Sequence, residues 1–536
     1  MARFNSLALP RRPQRLAAGV GLALAIALLI ALILYSIAAA AAVETGGARS
    51  GLDLWHLLRM TSIQAGLTTI LSLAVGTALA WALNRLRFPG RDLVVGLFAS
   101  AIVTPGVIVA FGLLAVWGRA GWIAAATEWA FGIPITVPIF GLGGILFAHV
   151  ILDGAFAARV LLARLDAVPP ARLKTGQSLG LGAWRRFAII DWPTIRGTFP
   201  GLAAIIFLLA FTSFPVVLLL GGGPANQTLE VAIYSAARLD FDLGAAVQLA
   251  LVQIAVCSVV VLAAAAFTPV PPSLGRSRPQ AWADSPSTRL VQWTVLALGI
   301  LGFALPMVAV LSGAFSGIGE VLANTSFWKG LGTSLAIASA SAALTLVLAL
   351  VLATGRAASA AALLRIGIGA PSYAYLAVPA VVLALGFFLL VRALGVPLAV
   401  AAPGVVVIAN ALLALPFAMA TIAPPLDAIA RSRGKLIRSL GLSSWRQFAT
   451  VEWPLIAPEA GLVIALAFCF SLGDLGVIAL FGTQDFATLP LLLVRALGGY
   501  RSNDAAVIAA LMLLLTIAAF VLIPRLFARF ADARAR

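Results

Sequence analysis

Long apolar stretches alternate with short polar ones along almost the whole chain. A helix that crosses a bilayer needs about 20 predominantly apolar residues, and the stretches reach this length in two sets of six. The first set lies near residues 16–42, 61–83, 93–118, 139–163, 199–221 and 243–267, and the second near 290–316, 331–353, 366–391, 400–423, 460–481 and 504–524. The pattern predicts an all-α polytopic membrane protein with about 12 transmembrane helices.

A proline-rich polar stretch at 268–289 separates the two sets and is typical of a linker. We therefore expect two tandem halves, each preceded by one additional helix. The predicted parts are an N-terminal cytoplasmic segment with the first transmembrane helix (1–56), the first half (57–267), the linker with the seventh helix (268–327) and the second half (328–527).

Basic residues lie mainly on one side of this arrangement. With the N-terminus in the cytoplasm, 28 of the 36 Lys and Arg residues are cytoplasmic and 8 are external, as the positive-inside rule requires. The chain is 62% hydrophobic and 10% charged, whereas soluble domains have roughly 25% charged residues. The net charge of +17 therefore reflects cytoplasmic loops, and no motif indicates nucleic-acid binding. Both termini are predicted to be cytoplasmic.

Few residues suggest catalysis or cofactor binding. Cys257 and Cys469 lie inside apolar stretches, and the two histidines are too scattered for a metal site. A phosphate-binding P-loop needs Gly-Lys-Ser/Thr, and none of the lysines, Lys174, Lys329 and Lys435, has that context. We expect a non-catalytic subunit with no cofactor.

The most informative feature is an internal repeat with an offset of 261 residues. Residues 165–193 and 426–454 align without a gap and are identical at 15 of 29 positions. Each copy follows the fourth predicted helix of its half, so both copies face the cytoplasm and the halves are parallel. Each copy predicts a helix, a glycine turn and a second short helix. Its key residues are Lys174, Ser178, Gly180, Trp184 and Pro193 in the first copy, and Lys435, Ser439, Gly441, Trp445 and Pro454 in the second.

At these residues the chain resembles the permeases of type I binding-protein-dependent ABC importers. Their cytoplasmic "EAA" loop has a glycine 13 residues before a proline, as Gly180 and Gly441 stand here. The family's glutamate is replaced by Lys174 and Lys435, so its contact with the ATPase does not carry over. Longer strings make the chain most similar to fused permeases that import thiamine, such as those at 220–224, 471–482 and 499–502.

The resemblance implies a bacterial inner-membrane permease without catalytic activity of its own. Its partners would be two copies of an ABC ATPase, one docked on each loop, a periplasmic thiamine-binding protein and membrane lipid. A ferric-iron permease is the main alternative. Two alternatives come from other classes. An ion-coupled secondary transporter leaves the duplicated loop unexplained, and a non-transporting membrane scaffold predicts no cavity and no substrate-stimulated ATPase activity.

Ionisable residues inside a membrane span are costly and often functional. Asp474 lies within the eleventh predicted helix, and its counterpart in the first half is Ser213. One hypothesis places Asp474 on the substrate path, where it would attract the thiazolium cation of thiamine. The other gives it only a hydrogen bond that shapes the fold. His149 and Asp153, four residues apart on one helix, are interpreted as a structural polar pair.

Overall fold

The computed structural model describes residues 13–44, 53–265, 282, 284–442 and 444–535. All regular structure within these ranges is helical. The helices up to the linker are α1 Pro13–Glu44, α2 Leu54–Arg85, α3 Arg91–Ser100, α4 Gly106–Trp117, α5 Trp122–Phe131, α6 Leu142–Asp166, α7 Pro170–Ser178, α8 Ala183–Arg186, α9 Trp192–Ile195, α10 Phe199–Phe211, α11 Pro215–Leu220, α12 Leu229–Arg238 and α13 Leu243–Ala265.

The helices after the linker follow a related order. They are α14 Pro286–Gly313, α15 Ile318–Ala323, α16 Thr325–Ala357, α17 Ala362–Ala374, α18 Ala380–Ala393, α19 Leu398–Ser439, α20 Ser444–Gln447, α21 Trp453–Leu472, α22 Gly476–Phe481, α23 Leu489–Gly498 and α24 Ser502–Ala535. Two π-helical turns, Phe187–Asp191 and Phe448–Glu452, and three 3₁₀ turns, Arg196–Thr198, Pro224–Asn226 and Ala314–Ser316, complete the described helical structure. Below, the first half denotes α2–α13 and the second half α15–α24.

The predicted all-α membrane architecture is confirmed. Eleven helical segments in the described ranges are long and apolar enough to cross a membrane, judged by length and composition. They overlap all the predicted stretches except 366–391, and the overlap is partial at 93–118 and 199–221. Helices are favoured in a bilayer because they satisfy every backbone hydrogen bond within one segment.

The prediction of unbroken helices at 93–118 and 366–391 was wrong. The first stretch is divided between α3 and α4, and the second between α17 and α18. In both cases the second helix starts directly after a proline, Pro105 or Pro379. Proline has no N–H to donate and disfavours helical geometry in the residue before it, so each apolar stretch ends one helix and begins another.

The stretches predicted at 199–221 and 460–481 are also interrupted, at equivalent places in the two halves. The first break separates α10 from α11 and the second separates α21 from α22. Both α11 and α22 are six residues long, and they begin 261 residues apart, at Pro215 and Gly476. The repeat seen in the loops thus extends into the membrane helices.

The helices that precede the halves are exchanged between them. Helix α1 packs against α16, α17 and α18 of the second half as well as α13, whereas α14 packs against α2, α4 and α6 of the first half as well as α24. The α1 contact is close at Gly19 and Gly355, where a Cβ added to Gly19 would lie 2.8 Å from the Cα of Gly355. Small residues allow this approach, which drives helix association where no water is displaced.

The core is shared between the halves in consequence. One large apolar cluster contains Ile33 of α1, Ile233 of α12 and Val381 of α18. The other contains Leu79 of α2, Phe303 of α14 and Leu513 of α24. Both of the large clusters therefore combine helices of the two halves.

Candidate functional site

The first repeat copy forms the predicted helix–turn–helix. Helix α7 ends at Ser178, and Gly180 has a left-handed φ of +63°. The amide of Leu181 donates to the Gly176 carbonyl at 3.1 Å and the amide of Gly180 to the Gln177 carbonyl at 3.0 Å. This pair of bonds is the Schellman motif, whose left-handed position favours glycine. The chain then reverses into α8.

The second copy has the same shape. Helix α19 ends at Ser439, and α20 begins at Ser444 after Gly441, whose φ is +59°. In both copies a π-helical turn follows, and Pro193 and Pro454 then occupy the second positions of α9 and α21. The wider turn accommodates the proline, which has no N–H to donate and whose ring clashes with the carbonyl four residues earlier.

Each loop presents an aromatic side chain to its surroundings beside the glycine turn. Trp184 is 77% exposed and Trp445 is 74% exposed. Behind them, Trp184 stacks on Phe187 with ring centroids 5.9 Å apart, and Trp445 lies 5.8 Å from Phe448. Leu179 and Leu440 are also exposed. Exposed apolar patches of this kind mark contacts with a protein or a membrane.

The remaining predicted loop residues divide into two groups. Lys174 is exposed, so it is available to a partner, while the Lys435 side chain lies outside the described residues. The hydroxyls of Ser178 and Ser439 donate to the carbonyls of Lys174 and Leu436, at 2.9 and 2.8 Å. These serines therefore stabilise the ends of their own helices.

Sequence reasoning missed the buried ion pairs that hold the loops against the membrane helices. Asp191 ends the first π-helical turn and lies 2.5 Å from the guanidinium of Arg85 at the end of α2. Glu452 ends the second turn and lies 2.8 Å from the guanidinium of Arg15 near the start of α1. An acid at both positions, 261 residues apart, was the signal available in the sequence.

A second pair of acids anchors the start of each loop. Asp166 accepts a hydrogen bond from the Asn84 side chain at 2.8 Å. Its counterpart Asp427 lies 3.1 Å from Arg356 and 2.6 Å from Arg365. Both ends of each loop are thus tied to helices of the membrane region, so a displacement of the loop must be shared by those helices.

Among the described residues, one contact of the first loop has no equivalent in the second. The guanidinium of Arg186 lies 3.7 Å from the ring centroid of Trp282, within the predicted linker. Trp282 also covers Gly176, where an added Cβ would lie 3.0 Å from the indole. The counterparts of Arg186 and Gly176 in the second loop are Gln447 and Ile437, which offer neither the cation nor the space for this contact.

Asp474 lies in the break between α21 and α22, as its counterpart Ser213 lies in the break between α10 and α11. One carboxylate oxygen accepts the Val477 amide at 3.3 Å, and the other has no hydrogen-bond partner among the described residues. The neighbouring Gly473 contacts Pro105 of the first half, since an added Cβ would lie 2.6 Å from that ring. Non-helical backbone at membrane depth occurs where it is enclosed by protein or lines a cavity.

Comparison with known proteins separates the possible families. No family model matches the chain. It is 37% identical to the thiamine transport system permease protein ThiP of Salmonella typhimurium over 487 residues, which cover 89% of this chain and 90% of that protein. The ThiP proteins of Brucella melitensis and Haemophilus influenzae are 36% identical over 536 residues (98% and 97% covered) and 35% identical over 472 residues (86% and 87% covered).

The chain belongs to the thiamine transport system permease family.

Membership of this permease family agrees with the predicted class of the protein. The relatives are transport permease subunits, and the chain is a multi-pass membrane protein by its helices. The described residues also contain no cluster of three or more potential metal ligands.

This thiamine permease family member has a further buried acid that sequence reasoning missed. Glu230, at the start of α12, is fully buried and accepts a hydrogen bond from Gln253 at 3.0 Å. Its second carboxylate oxygen has no hydrogen-bond partner among the described residues, and α12 packs against α18 of the second half. The sequence pattern placed Glu230 in an external segment, because α12 is too short to be recognised as a membrane helix.

The predicted polar pair of His149 and Asp153 is also present in this permease. Their side chains are buried and lie 3.4 Å apart on α6. Their role as a structural polar pair stays a prediction.

Proposed function

We propose that this chain is the membrane-spanning subunit of an ATP-driven importer that carries thiamine across a bacterial inner membrane, with both termini in the cytoplasm. The names of its relatives support the substrate, since proteins similar along nearly the whole chain are thiamine transport permeases. The ferric-iron alternative has no comparable support. The basic loops support the orientation.

The observation that carries the ATP-driven mechanism is the pair of equivalent loops. Two surfaces with the same glycine turn and the same exposed tryptophan suit two copies of one partner. An ATPase that docks on both surfaces and closes on ATP would bring the loops together. The ion pairs at Asp191 and Glu452 would pass that movement to the membrane helices, which is the coupling between distant sites that transport needs.

Asp474 is the residue we place on the substrate path. It sits where a break in the second half meets Pro105 of the first, and a path between two duplicated halves runs along such a contact. Its second oxygen is buried without a hydrogen-bond partner among the described residues, so a cation that reached it would meet an unused acceptor. Thiamine carries a fixed positive charge on its thiazolium ring, so the carboxylate would attract or orient that ring.

The decisive experiment is reconstitution of the permease in proteoliposomes with its ATPase and a periplasmic thiamine-binding protein. We expect ATP hydrolysis and thiamine uptake to rise together when the binding protein is loaded with thiamine. The iron-loaded form of a ferric-binding protein serves as the matched control and should stimulate neither activity. Uptake that continues without the ATPase would contradict the proposal and favour an ion-driven carrier.

A further inference from the structure

The two docking loops are held by equivalent acids but by cations from different places. Asp191 and Glu452 occupy the same position of the repeat, 261 residues apart. Arg85, the partner of Asp191, belongs to the first half itself. Arg15, the partner of Glu452, belongs to α1, a helix that precedes the first half. The second loop is therefore fastened across the molecule.

Glu452 pairs with an arginine of α1 because the corresponding arginine of the second half, Arg356, contacts a different acid. Arg356 lies in the last turn of α16 as Arg85 lies in the last turn of α2, but its guanidinium contacts Asp427 at 3.1 Å. The end of α16 therefore gives Glu452 no cation. Arg15 reaches Glu452 because α1 packs against α16 at Gly19 and Gly355.

Arg15 contacts both ends of the segment 444–452, which lies between the Gly441 turn and α21. Its guanidinium donates to both Glu452 oxygens, at 2.8 and 2.9 Å. It also donates to the hydroxyl of Ser444 at 2.6 Å and to the Ser444 carbonyl at 2.5 Å. Ser444 begins α20 and Glu452 ends the π-helical turn. Bidentate, charge-assisted contacts of this kind are strong and fix geometry.

The contact is also shielded from solvent. The side chains of Arg15 and Glu452 are 12% and 7% exposed, and Gln447 donates a further hydrogen bond to Glu452. Removing one member of a buried ion pair leaves the other charge uncompensated. The exposed surface of the loop, including Trp445, is not part of this contact.

We propose that Arg15 is a positioning residue that fastens the second docking loop to α1, so that movement of this loop by the ATPase is transmitted to α1. The inference rests on the proposed function of the loops. It makes the first helix part of the coupling machinery of the second half, whereas the equivalent ion pair of the first loop is made with α2, a helix of its own half.

The test is Arg15→Gln in the reconstituted importer, with Arg289→Gln as the matched control. Arg289 lies near the start of α14, the helix that corresponds to α1, and is exposed. For Arg15→Gln we expect the ATPase to remain bound while thiamine uptake per ATP hydrolysed falls roughly fivefold or more, the lower end of common allosteric couplings. Arg289→Gln should keep the wild-type ratio.

Two further variants separate positioning from folding. Arg15→Lys keeps a charge near Glu452 but loses the planar fork that reaches Ser444, so it should accumulate normally with an intermediate uptake ratio. Arg15→Gln combined with Glu452→Gln removes the uncompensated charge and should restore abundance without restoring the ratio. A wild-type ratio in either of these variants would overturn the proposal.

Failure of the underlying function gives a different result. If the ATPase does not bind the unaltered permease, the docking function itself is wrong. If it binds both the unaltered permease and Arg15→Gln, and the uptake ratio is unchanged, only the role of Arg15 is wrong.

Discussion

Single residues in this molecule show how charge is accommodated in an apolar protein. The acids at the loops, Asp191, Asp427 and Glu452, each contact an arginine. Asp474 instead accepts the Val477 amide at the start of α22 and keeps one oxygen unpartnered among the described residues. A buried carboxylate that is only partly satisfied is costly, which is the physical reason to expect a ligand there.

The prediction at this scale is that Asp474→Asn lowers thiamine uptake about tenfold, equivalent to about 1.4 kcal/mol. Asparagine caps a helix N-terminus nearly as well as aspartate, so the substitution removes the charge and leaves the fold. Uptake should be measured at equal membrane abundance. Asp485→Asn, an exposed acid in the segment between α22 and α23, is the control and should transport normally. Unchanged uptake by Asp474→Asn would leave the carboxylate only its capping role.

At the scale of elements, the repeat preserves backbone shape more strictly than side-chain chemistry. Both loops have a left-handed glycine, a short helix and a π-helical turn. Arg186 and Gly176, by contrast, become Gln447 and Ile437. A partner that binds both loops must therefore contact the features that they share, which are the backbone shape and the exposed tryptophans.

We predict that Gly180→Ala and Gly441→Ala each weaken binding of the ATPase by a similar factor. A side chain in the left-handed region costs roughly 1–2 kcal/mol, so the turn would shift and binding would fall about tenfold for each 1.4 kcal/mol. The affinity of the detergent-solubilised permease for the ATPase measures this.

Gly182→Ala is the matched control for these variants. Gly182 lies two residues after Gly180. Its φ is −67° and an added Cβ would meet nothing within 4 Å, so alanine should be tolerated. Equal binding by all three variants would show that the left-handed turns do not shape the docking surface.

At the scale of the whole molecule, the exchange of α1 and α14 makes the halves interdependent. Helix α1 packs mainly against the second half and α14 mainly against the first, and both large apolar clusters include residues of both halves. A half expressed alone would expose these apolar contact surfaces, including the close approach at Gly355.

We therefore predict that fragments 1–272 and 273–536 accumulate only when they are produced together, and that a tag on one then purifies both. Gly19→Leu should abolish the pairing, because an added Cβ would lie 2.8 Å from the Cα of Gly355. Gly21→Leu is the control, since a Cβ at that position meets nothing within 4 Å. Stable accumulation of either fragment alone would contradict the shared core.

The sequence by itself determined the fold class, the duplication and the shape of the docking loops. Apolar length decides whether a helix spans a bilayer, and left-handed turns select glycine, so both can be recognised locally. The family could also be recognised from the sequence, because the loop motif and the longer similar strings both occur in this chain.

Only the tertiary structure decided which half each preceding helix packs against and which charged side chains form ion pairs. Hydrophobic patterning does not specify the neighbours of an apolar helix, so the exchange of α1 and α14 was not visible in it. The same limit hid the pairing of Arg15 with Glu452, which lie 437 residues apart. Backbone geometry also decided where the apolar stretches break, at Pro105 and Pro379. It likewise placed Asp474 next to the contact between the halves. A continuous apolar stretch in the sequence indicates neither feature.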